Sequence, residues 1–569
     1  MAKSALMRVL RQAYRIAKTS RKTGIPTDEL LGIRHEYRQS HALLTRRRLL
    51  QIGLASASAM TTAMIGQYRH QANAQSSISP VLIVGAGIAG LAAAYRLTQA
   101  GVPVDIIEAR NRVGGRINTL KKAAGTPLIA ELGGEFINTD HICIRSLAEE
   151  LGLPLIDLLA VDAGLIPDTY FFEGRRVSLA EIINDFVPVA VQVEADLEAI
   201  DNFEDYTTED EITIALDNIS LAQYLNQIPT TPIIRQLLRI AYTIEFGLNT
   251  EEQSPLNLIY YIGTEPGTFE VFGESDERFY LDGGSEQITQ RLAQILEGSI
   301  TTTTVLESIR EQSGGRFLVS LRSGINSLER TYERVVLTIP FSVLRTIEID
   351  VELPEVKREA IDTVGYGTNS KLITGYTDKI WRTRFNSRGN VFTDLGFQNT
   401  WESSNSRYAS STIGLITNYT GGTQGVAVGA GTVEDQAQQL NTNLEAVFPG
   451  INSVAIRNQA NRAFWTGSPF SLGSYLCYRP GEFTRFYGVE GERVGNLFFA
   501  GEHTSLEYQG FMEGGCETGE LVASDILEDV GLTEIAEAIR AKLRFNRRSR
   551  IRQNRRPGGR RMQRRLQQR

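Results

Sequence analysis

A glycine-rich turn restricts the fold of this chain more than any other feature. An apolar run over 81–84 leads into the pattern G-x-G-x-x-G at Gly85, Gly87 and Gly90, an alanine-rich stretch of helical spacing follows, and the next apolar run ends in Glu108. Glycines in such a turn let the backbone approach a pyrophosphate, and the helix that begins there offers it free N–H groups. An acid about twenty residues further on accepts ribose hydroxyls. The segment therefore predicts a Rossmann-like α/β unit that binds a dinucleotide.

Two further clusters of glycine and arginine follow the acidic strand end. The stretch RNRVGGRINT contains Gly115 and Arg116, and AELGGEFI contains Gly133 and Gly134. Arginine forks bind phosphate oxygens, so these residues suit a second approach to the pyrophosphate.

Together with YLDGGSEQITQRLAQIL, TTTTVLESI, ERVVLTIP and NLFFAGEHTSLEYQGFMEGGCETGELVA, these motifs resemble the flavin-containing amine oxidase family, which includes monoamine, polyamine and L-amino acid oxidases. The resemblance extends from Ile78 to about Val530. It implies a discontinuous Rossmann-like FAD-binding domain and a mixed α+β substrate domain with a helical cap. We expect these boundaries: FAD-binding domain, 78–150, 270–340 and 455–530; helical cap and part of the substrate domain, 151–269; substrate-binding sheet, 341–454.

The resemblance also implies which residues hold the cofactor. Ser474 occupies the position at which monoamine oxidases carry the cysteine that is linked to FAD, and a serine cannot form that thioether, so we expect non-covalent FAD. The family's motifs assign cofactor contacts to Gly85, Gly87, Ala89, Gly90, Glu108, Arg110, Gly115, Arg116, Gly133, Gly134, Glu135, Val305, Gly501, Glu502, Gly510 and Phe511.

Three positions match the catalytic residues of the family. Lys371, in the apolar segment SKLITGY, matches the lysine that is bridged by water to flavin N5, and a lysine in such a strand is costly to bury without a functional partner. Tyr475 and Phe511 match the two rings that flank the amine, although the family often has tyrosine at the second position. Trp465 is assigned to substrate binding.

The charge distribution favours a cationic substrate. The formal net charge of −7 combines basic ends with a strongly acidic body, and such a body attracts cations. L-amino acid oxidases often have an arginine in the region of Glu135, whereas a carboxylate suits the distal cation of a diamine or a guanidinium. A salt bridge within the cofactor domain is the alternative role of Glu135, and a basic L-amino acid remains open as the substrate.

The resemblance implies oxidation of a primary amine to an imine, which hydrolyses to a carbonyl compound and ammonia, while O2 is reduced to H2O2. Three alternatives remain open: an L-amino acid dehydrogenase that passes electrons to a quinone, a flavin desaturase or oxidase of the same fold that acts on other substrates, and a catalytically silent anchoring protein.

The remaining residues indicate few other sites. Cys143, Cys477 and Cys516 are widely spaced, so they predict neither a disulfide framework nor a metal site. We expect a small-molecule amine as the partner and no specific nucleic acid, and a homodimer is open.

Both ends of the chain differ from its body. Residues 1–74 form a basic leader in which TRRRLL, beginning at Thr45, resembles a twin-arginine export signal, and Ala72-Asn73-Ala74 fits a cleavage site. We therefore expect export to the periplasm or an equivalent compartment. Residues 540–569 are strongly basic and predict a disordered tail that could contact an anionic membrane surface.

Overall fold

The structure, a computed structural model, describes residues 78–200, 203–273, 275–404 and 411–553, with the side chains described up to 543. The export signal predicted within 1–74 and residues 554–569 of the predicted tail lie outside this part of the chain. Residues 540–553 differ from the prediction of disorder, because they continue a helix over Thr533–Gln553. Arg540 pairs there with Asp525, and Lys542 pairs with Glu150.

A five-stranded parallel sheet forms the centre of the cofactor domain. Its order is Leu497–Phe499, Arg334–Leu337, Val81–Val84, Val104–Ile107 and Ile300–Thr301. Val81, Leu82 and Ile83 are fully buried because helices cover one face of the sheet and the strands Thr304–Gln312 and Arg316–Ser323 cover the other. Burial on both faces explains the continuous apolar runs of the sequence. Helices Ile88–Gln99 and Met512–Asp529 pack against each other so closely that a Cβ on Gly519 would lie 2.3 Å from the Ala89 carbonyl oxygen.

The second large sheet holds the substrate side of the molecule. Its seven strands lie in the order Ala455–Phe464, Ser370–Tyr376, Gly414–Thr420, Asn399–Glu402, Val391–Thr393, Thr169–Phe172 and Arg175–Val177. One predicted boundary is therefore wrong for a single element, because the strand that begins at Ala455 belongs to this sheet and not to the cofactor domain. Thr169–Phe172 and Arg175–Val177, from the segment predicted as helical cap and substrate part, complete the far edge of the sheet. Strand pairing over long sequence distances decides both assignments, and local patterns do not report it.

The cap consists of helices Leu179–Ala199, Glu211–Asp217, Leu221–Gln227, Pro232–Phe246 and Leu256–Ile259. Ser178, Asp210, Ser220 and Thr231 each cap one of the first four helices by accepting a backbone N–H. The last long helix ends at Gly247, whose φ of 81° is the left-handed conformation that stops a helix. The two domains with their cap confirm the predicted fold class.

The remaining elements complete the layers around these sheets. A four-stranded sheet consists of Asn326–Tyr332, Arg316–Ser323, Thr304–Gln312 and Glu348–Asp350, and two small ribbons pair Thr119–Lys121 with Ile129–Glu131 and Leu155–Asp157 with Phe279–Leu281. The other helices are Ile142–Glu150, Leu158–Val161, Glu286–Ile295, Phe341–Leu344, Glu355–Thr363, Ile380–Thr383, Gly422–Ala427, Val433–Val447, Ile451–Val454 and Phe483–Phe486, with 3-10 turns at Ala123–Gly125, Val489–Gly491 and Glu502–Thr504. Among the described residues, none of the helices combines the length and apolar character that a membrane span requires.

Candidate active site

One cavity of about 1190 Å³ runs from the glycine turn to the seven-stranded sheet. Its walls contain every site residue predicted from the sequence except Gly90. This volume is at the upper end of what ligand pockets usually offer, so it has room for a dinucleotide and a small substrate together.

The glycine turn has one face against protein and one face open to the cavity. Gly85 has a φ of 110°, and a Cβ on Gly90 would lie 2.1 Å from the Gly85 carbonyl oxygen, so Gly90 serves close packing of strand and helix. Around Gly87, by contrast, a Cβ would meet nothing within 4 Å. The open space lies at the start of helix Ile88–Gln99, where a pyrophosphate would meet free N–H groups. The turn therefore fits the dinucleotide part of FAD.

Glu108 occupies the expected position at the end of its strand. Its carboxylate accepts hydrogen bonds from the backbone N–H of Ala86 (2.9 Å) and of Arg110 (2.8 Å), which hold it at the cavity wall. Arg110 donates to the hydroxyls of Ser468 (3.1 Å) and Ser471 (2.9 Å). Burial lowers the pKa of Arg110. Arg110 thus holds the loop that follows strand Ala455–Phe464 against the wall of the cavity.

A second chain of contacts connects the middle and the end of the sequence. Arg116 forms an ion pair of 2.7 Å with Glu502 and donates to the Ser474 carbonyl oxygen, and Glu502 accepts the Gly510 N–H at 2.8 Å. Gly510 has a φ of 82°, which turns the chain into helix Met512–Asp529. This glycine-rich helix points its N-terminus at the cavity, so its dipole favours negative charge there.

Lys371 and Glu135 form a buried ion pair at the centre of the cavity. The Lys371 Nζ donates to Glu135 Oε2 (2.8 Å) and to the carbonyl oxygens of Gly133 (2.8 Å) and Glu131 (3.2 Å), so all three of its N–H groups have protein acceptors. The other oxygen of Glu135 accepts from the Trp401 indole at 3.1 Å. Both oxygens of Glu135 are thus occupied by protein. The structure differs here from the prediction that Glu135 anchors a distal substrate cation. It also differs from the alternative of a salt bridge within the cofactor domain, because the partner Lys371 lies on the seven-stranded sheet.

The neighbours of Lys371 follow from strand pairing. Lys371 lies opposite Tyr419, and Tyr419 lies opposite Asn399 on the next strand, so the three side chains share one face of the sheet. Trp401, two residues beyond Asn399, shares that face, and its ring lies 5.2 Å from the Tyr419 ring. All four residues line the cavity. The sequence analysis missed Tyr419, Asn399 and Trp401, because only the register of the strands brings them to Lys371.

The predicted aromatic pair lies where the sheet meets the glycine-rich helix. Tyr475 donates a hydrogen bond to the Ile244 carbonyl oxygen (3.0 Å), and its hydroxyl lies 2.8 Å from that of Tyr419. Phe511 packs edge-on against His141 at 5.0 Å. Trp465 donates to the Leu132 carbonyl oxygen at 3.0 Å, which places it beside the cofactor segment Gly133–Gly134 rather than deep in the substrate end.

Two acids that the sequence analysis missed lie at the substrate end. Glu245, in the last turn of helix Pro232–Phe246, and Glu277 both line the cavity, and we call them the acidic pair. Burial raises the pKa of Glu245 to about 7 and also raises that of Glu277. Glu277 has a φ of 40°, a conformation that non-glycine residues adopt at an energetic cost and that is frequent at functional sites. In the part of the chain that the structure describes, no lysine or arginine nitrogen lies within ion-pair distance of either carboxylate.

A third acid, Glu131, should make stability depend on pH. Its fully buried carboxyl accepts hydrogen bonds from the Ser285 N–H and the Thr119 hydroxyl, yet burial raises its pKa from 4.5 to about 8. Because the folded state then holds a proton that the unfolded state has released, stability should fall as pH rises from about 4.5 to about 8. The loss of unfolding free energy across this window should reach up to about 5 kcal/mol. Denaturant unfolding of the wild type and Glu131→Gln at four pH values across this window checks it. Parallel pH curves for the two proteins would contradict it.

Comparisons with known proteins agree with this geometry. The model of the family described as flavin containing amine oxidoreductase matches residues 88–527. Amine oxidase [flavin-containing] B of Canis lupus familiaris is 26% identical over 469 residues, which cover 79% of this chain and 86% of the relative. L-amino-acid oxidase of Siganus canaliculatus is 25% identical over 474 residues, which cover 80% of this chain and 86% of that relative.

Two solved structures share the fold. Cyclohexylamine oxidase from Brevibacterium oxydans has a TM-score of 0.68 at 21% identity, with 80% of this chain and 99% of that one covered. Putrescine oxidase bound to putrescine has a TM-score of 0.67 at 21% identity, with 79% of this chain and 99% of that one covered. The family match extends over most of the described chain and includes the glycine-rich helix, so this protein is an FAD-dependent oxidoreductase that belongs to the flavin-containing amine oxidoreductase family.

Proposed function

We propose that this enzyme oxidises a primary amine that carries a second cationic group: a diamine, a polyamine or a basic L-amino acid. The observation that carries the proposal is the acidic pair. Two carboxyl groups that form no ion pair with a described lysine or arginine face a cavity lined by many aromatic side chains, and a cation bound beside them would favour their charged form. A distal ammonium or guanidinium supplies one.

FAD, when bound, supplies a hydride acceptor and passes the electrons on to O2, which yields H2O2. The residues of the chain orient the substrate. Tyr475 and Phe511 line the cavity from the side of the glycine-rich helix, so they can hold the reacting amine between apolar ring faces. The ion pair of Lys371 and Glu135 adds no net charge beside it. The imine product then hydrolyses to a carbonyl compound and ammonia.

The acidic pair would fix the far end of the substrate. Glu245 follows Ile244, whose carbonyl oxygen accepts a hydrogen bond from the Tyr475 hydroxyl, whereas Glu277 lies with Asn390, Trp401 and Arg388 around a small side pocket. The Arg388 guanidinium is held by Asp162 at 2.8 Å. Glu277 is therefore our assignment for the distal cation, with Glu245 between it and the aromatic pair.

Replacing Glu277 with glutamine should raise KM for putrescine or arginine about 10- to 100-fold, because a charge-assisted hydrogen bond in the bound state contributes about 1.5–3 kcal/mol. Monoamines without a second cationic group, such as hexylamine, should be oxidised by Glu277→Gln and wild type alike. The measurement is anaerobic flavin reduction with each substrate. Glu265→Gln, an exposed change outside the cavity, is the matched control. Equal losses for hexylamine and putrescine would refute the assignment.

The same assay separates the remaining choices. Reduction by putrescine alone supports a diamine or polyamine oxidase, and reduction by arginine alone supports an amino acid oxidoreductase. Reoxidation of the reduced enzyme by O2, compared with a soluble quinone, identifies the electron acceptor. Release of FAD on acid denaturation would support our expectation of non-covalent FAD, in line with Ser474, whose hydroxyl donates to Asn369 at 2.7 Å.

A further inference from the structure

The structure brings together two cysteines that lie 373 positions apart in the sequence. Cys143 is the second residue of helix Ile142–Glu150, and Cys516 lies in the first half of helix Met512–Asp529. Their sulfur atoms are 2.8 Å apart, and both side chains are fully buried. Two buried thiols in contact form a redox-active pair if their surroundings hold them there.

The backbone around the two sulfurs fixes their approach. The Glu513 carboxylate accepts the backbone N–H groups of Cys143 (2.7 Å) and Ile144 (2.8 Å), so a residue of one helix caps the start of the other. This cap lies one turn before Cys516 on the same helix. The contact between the two sulfur atoms thus depends on hydrogen bonds that hold the two helices together, and not only on the rotation of the cysteine side chains.

A metal ion is the alternative occupant, because the Glu520 carboxylate lies near both sulfurs. The geometry does not fit one. One oxygen of Glu520 is paired with Arg96 at 2.5 Å, and its other oxygen has no hydrogen-bond partner among the described residues, so the sulfur separation decides the question. Two thiolates on one tetrahedral ion with bonds of about 2.3 Å would lie about 3.8 Å apart, which is well beyond the observed separation.

We propose that Cys143 and Cys516 form an intramolecular disulfide when the folded enzyme meets hydrogen peroxide. Peroxide oxidises one thiol to a sulfenic acid and leaves as water. The second thiol attacks that sulfur, the S–S bond forms and a second water is released, so two thiols and one H2O2 give one disulfide and two H2O. Added peroxide suffices for this step, and it therefore does not depend on the proposed substrate.

The chemistry of the pair limits which oxidant can act. Burial raises the pKa of both thiols, so little of the reactive thiolate is present and oxidation by peroxide should be slow. Burial also closes the pair to bulky reagents. Hydrogen peroxide is small and uncharged. The glycine-rich helix Met512–Asp529, which carries Cys516, also carries Met512 and Gly515, and both line the cavity. The disulfide would therefore connect helix Ile142–Glu150 to a wall of the FAD site.

The test is a count of thiols in the holoenzyme. The protein is treated with peroxide or with dithiothreitol, the reagent is removed, and the chain is unfolded in guanidinium with N-ethylmaleimide before intact-mass analysis. The chain contains three cysteines, so we expect one adduct after peroxide, on Cys477, and three after dithiothreitol. The Cys477→Ser variant should carry no adduct after peroxide and two adducts after dithiothreitol. Peptide mapping of the peroxide-treated protein should recover the Cys143–Cys516 crosslink.

Four results would overturn the proposal: three adducts after peroxide, a crosslink to Cys477, sulfinic acid at either cysteine, or a bound metal that protects both thiols. The oxidised wild type should also melt about 2–5 °C above the reduced one, because a bridge across a long loop restricts the unfolded chain. Cys143→Ser should show no such difference. The wild-type comparison needs no variant to fold, and equal melting temperatures would refute the stabilising role of the bridge.

Discussion

Replacing Lys371 with methionine should raise the apparent pKa of flavin reduction by about 1–3 pH units. The lysine leaves behind the Glu135 carboxylate, which is 3% exposed and lies beside the amine position. An unpaired anion there stabilises the ammonium form of the substrate, and this form has no lone pair from which to start the oxidation. The pH dependence of anaerobic flavin reduction is the measurement. The same variant should lose about 3–5 kcal/mol of unfolding free energy, because one partner of a buried pair is removed.

The partner variant should act in the opposite direction. Glu135→Gln leaves Lys371 as an unpaired cation, so the apparent pKa should fall below that of the wild type. Lys371→Met combined with Glu135→Gln should return it towards the wild-type value, since the net charge of the pair is zero again. Lys371→Arg keeps the charge and is the conservative control. Shifts of the same sign in both single variants would contradict an electrostatic role of the pair.

Alanine at Gly87 and alanine at Gly90 should give two different failures. A methyl on Gly87 meets no protein atom within 4 Å, and its φ of −77° suits any residue, so Gly87→Ala should fold normally. It should lose FAD affinity by about 100-fold or more, because the methyl fills the space of the pyrophosphate. Gly90→Ala places its Cβ 2.1 Å from the Gly85 carbonyl oxygen and should lower the unfolding free energy by about 3 kcal/mol or more.

Two measurements on each variant distinguish the failures. The melting temperature of the FAD-free protein should be unchanged in Gly87→Ala and lowered in Gly90→Ala. Titration of the FAD-free protein with FAD then gives the affinity. Normal FAD binding by Gly87→Ala would contradict the placement of the pyrophosphate at this turn.

The parts of the site that could be predicted are those with local rules. The glycine turn, Glu108 and Gly133–Gly134 each carry a backbone requirement that the sequence displays directly. Lys371, Tyr475 and Phe511 were found through family motifs, and the structure places all three on one cavity.

The parts that could not be predicted depend on contacts between distant segments. Trp401 and Tyr419 reach Lys371 only through strand register. Glu277 lies in the acid-rich segment GESDER, and Glu245 is the single acid of helix Pro232–Phe246; neither belongs to a motif that the sequence displays. The sequence analysis assigns Glu135 to a substrate cation, because its ion-pair partner Lys371 lies 236 positions further along the chain and no local pattern indicates it. Sequence spacing also gave no sign that Cys143 and Cys516 meet.

The cofactor domain is assembled from segments that lie far apart in the sequence, and this affects how it folds during synthesis on the ribosome. The glycine turn emerges early, but Glu502 lies 386 positions after its partner Arg116, and the helix that begins at Met512 emerges later still. A nascent chain therefore exposes the parallel sheet's apolar edge until its last strand, Leu497–Phe499, arrives. FAD can be enclosed only after strand Leu497–Phe499 and helix Met512–Asp529 have been synthesised, so chains truncated before this point should be degraded without ever having carried the cofactor.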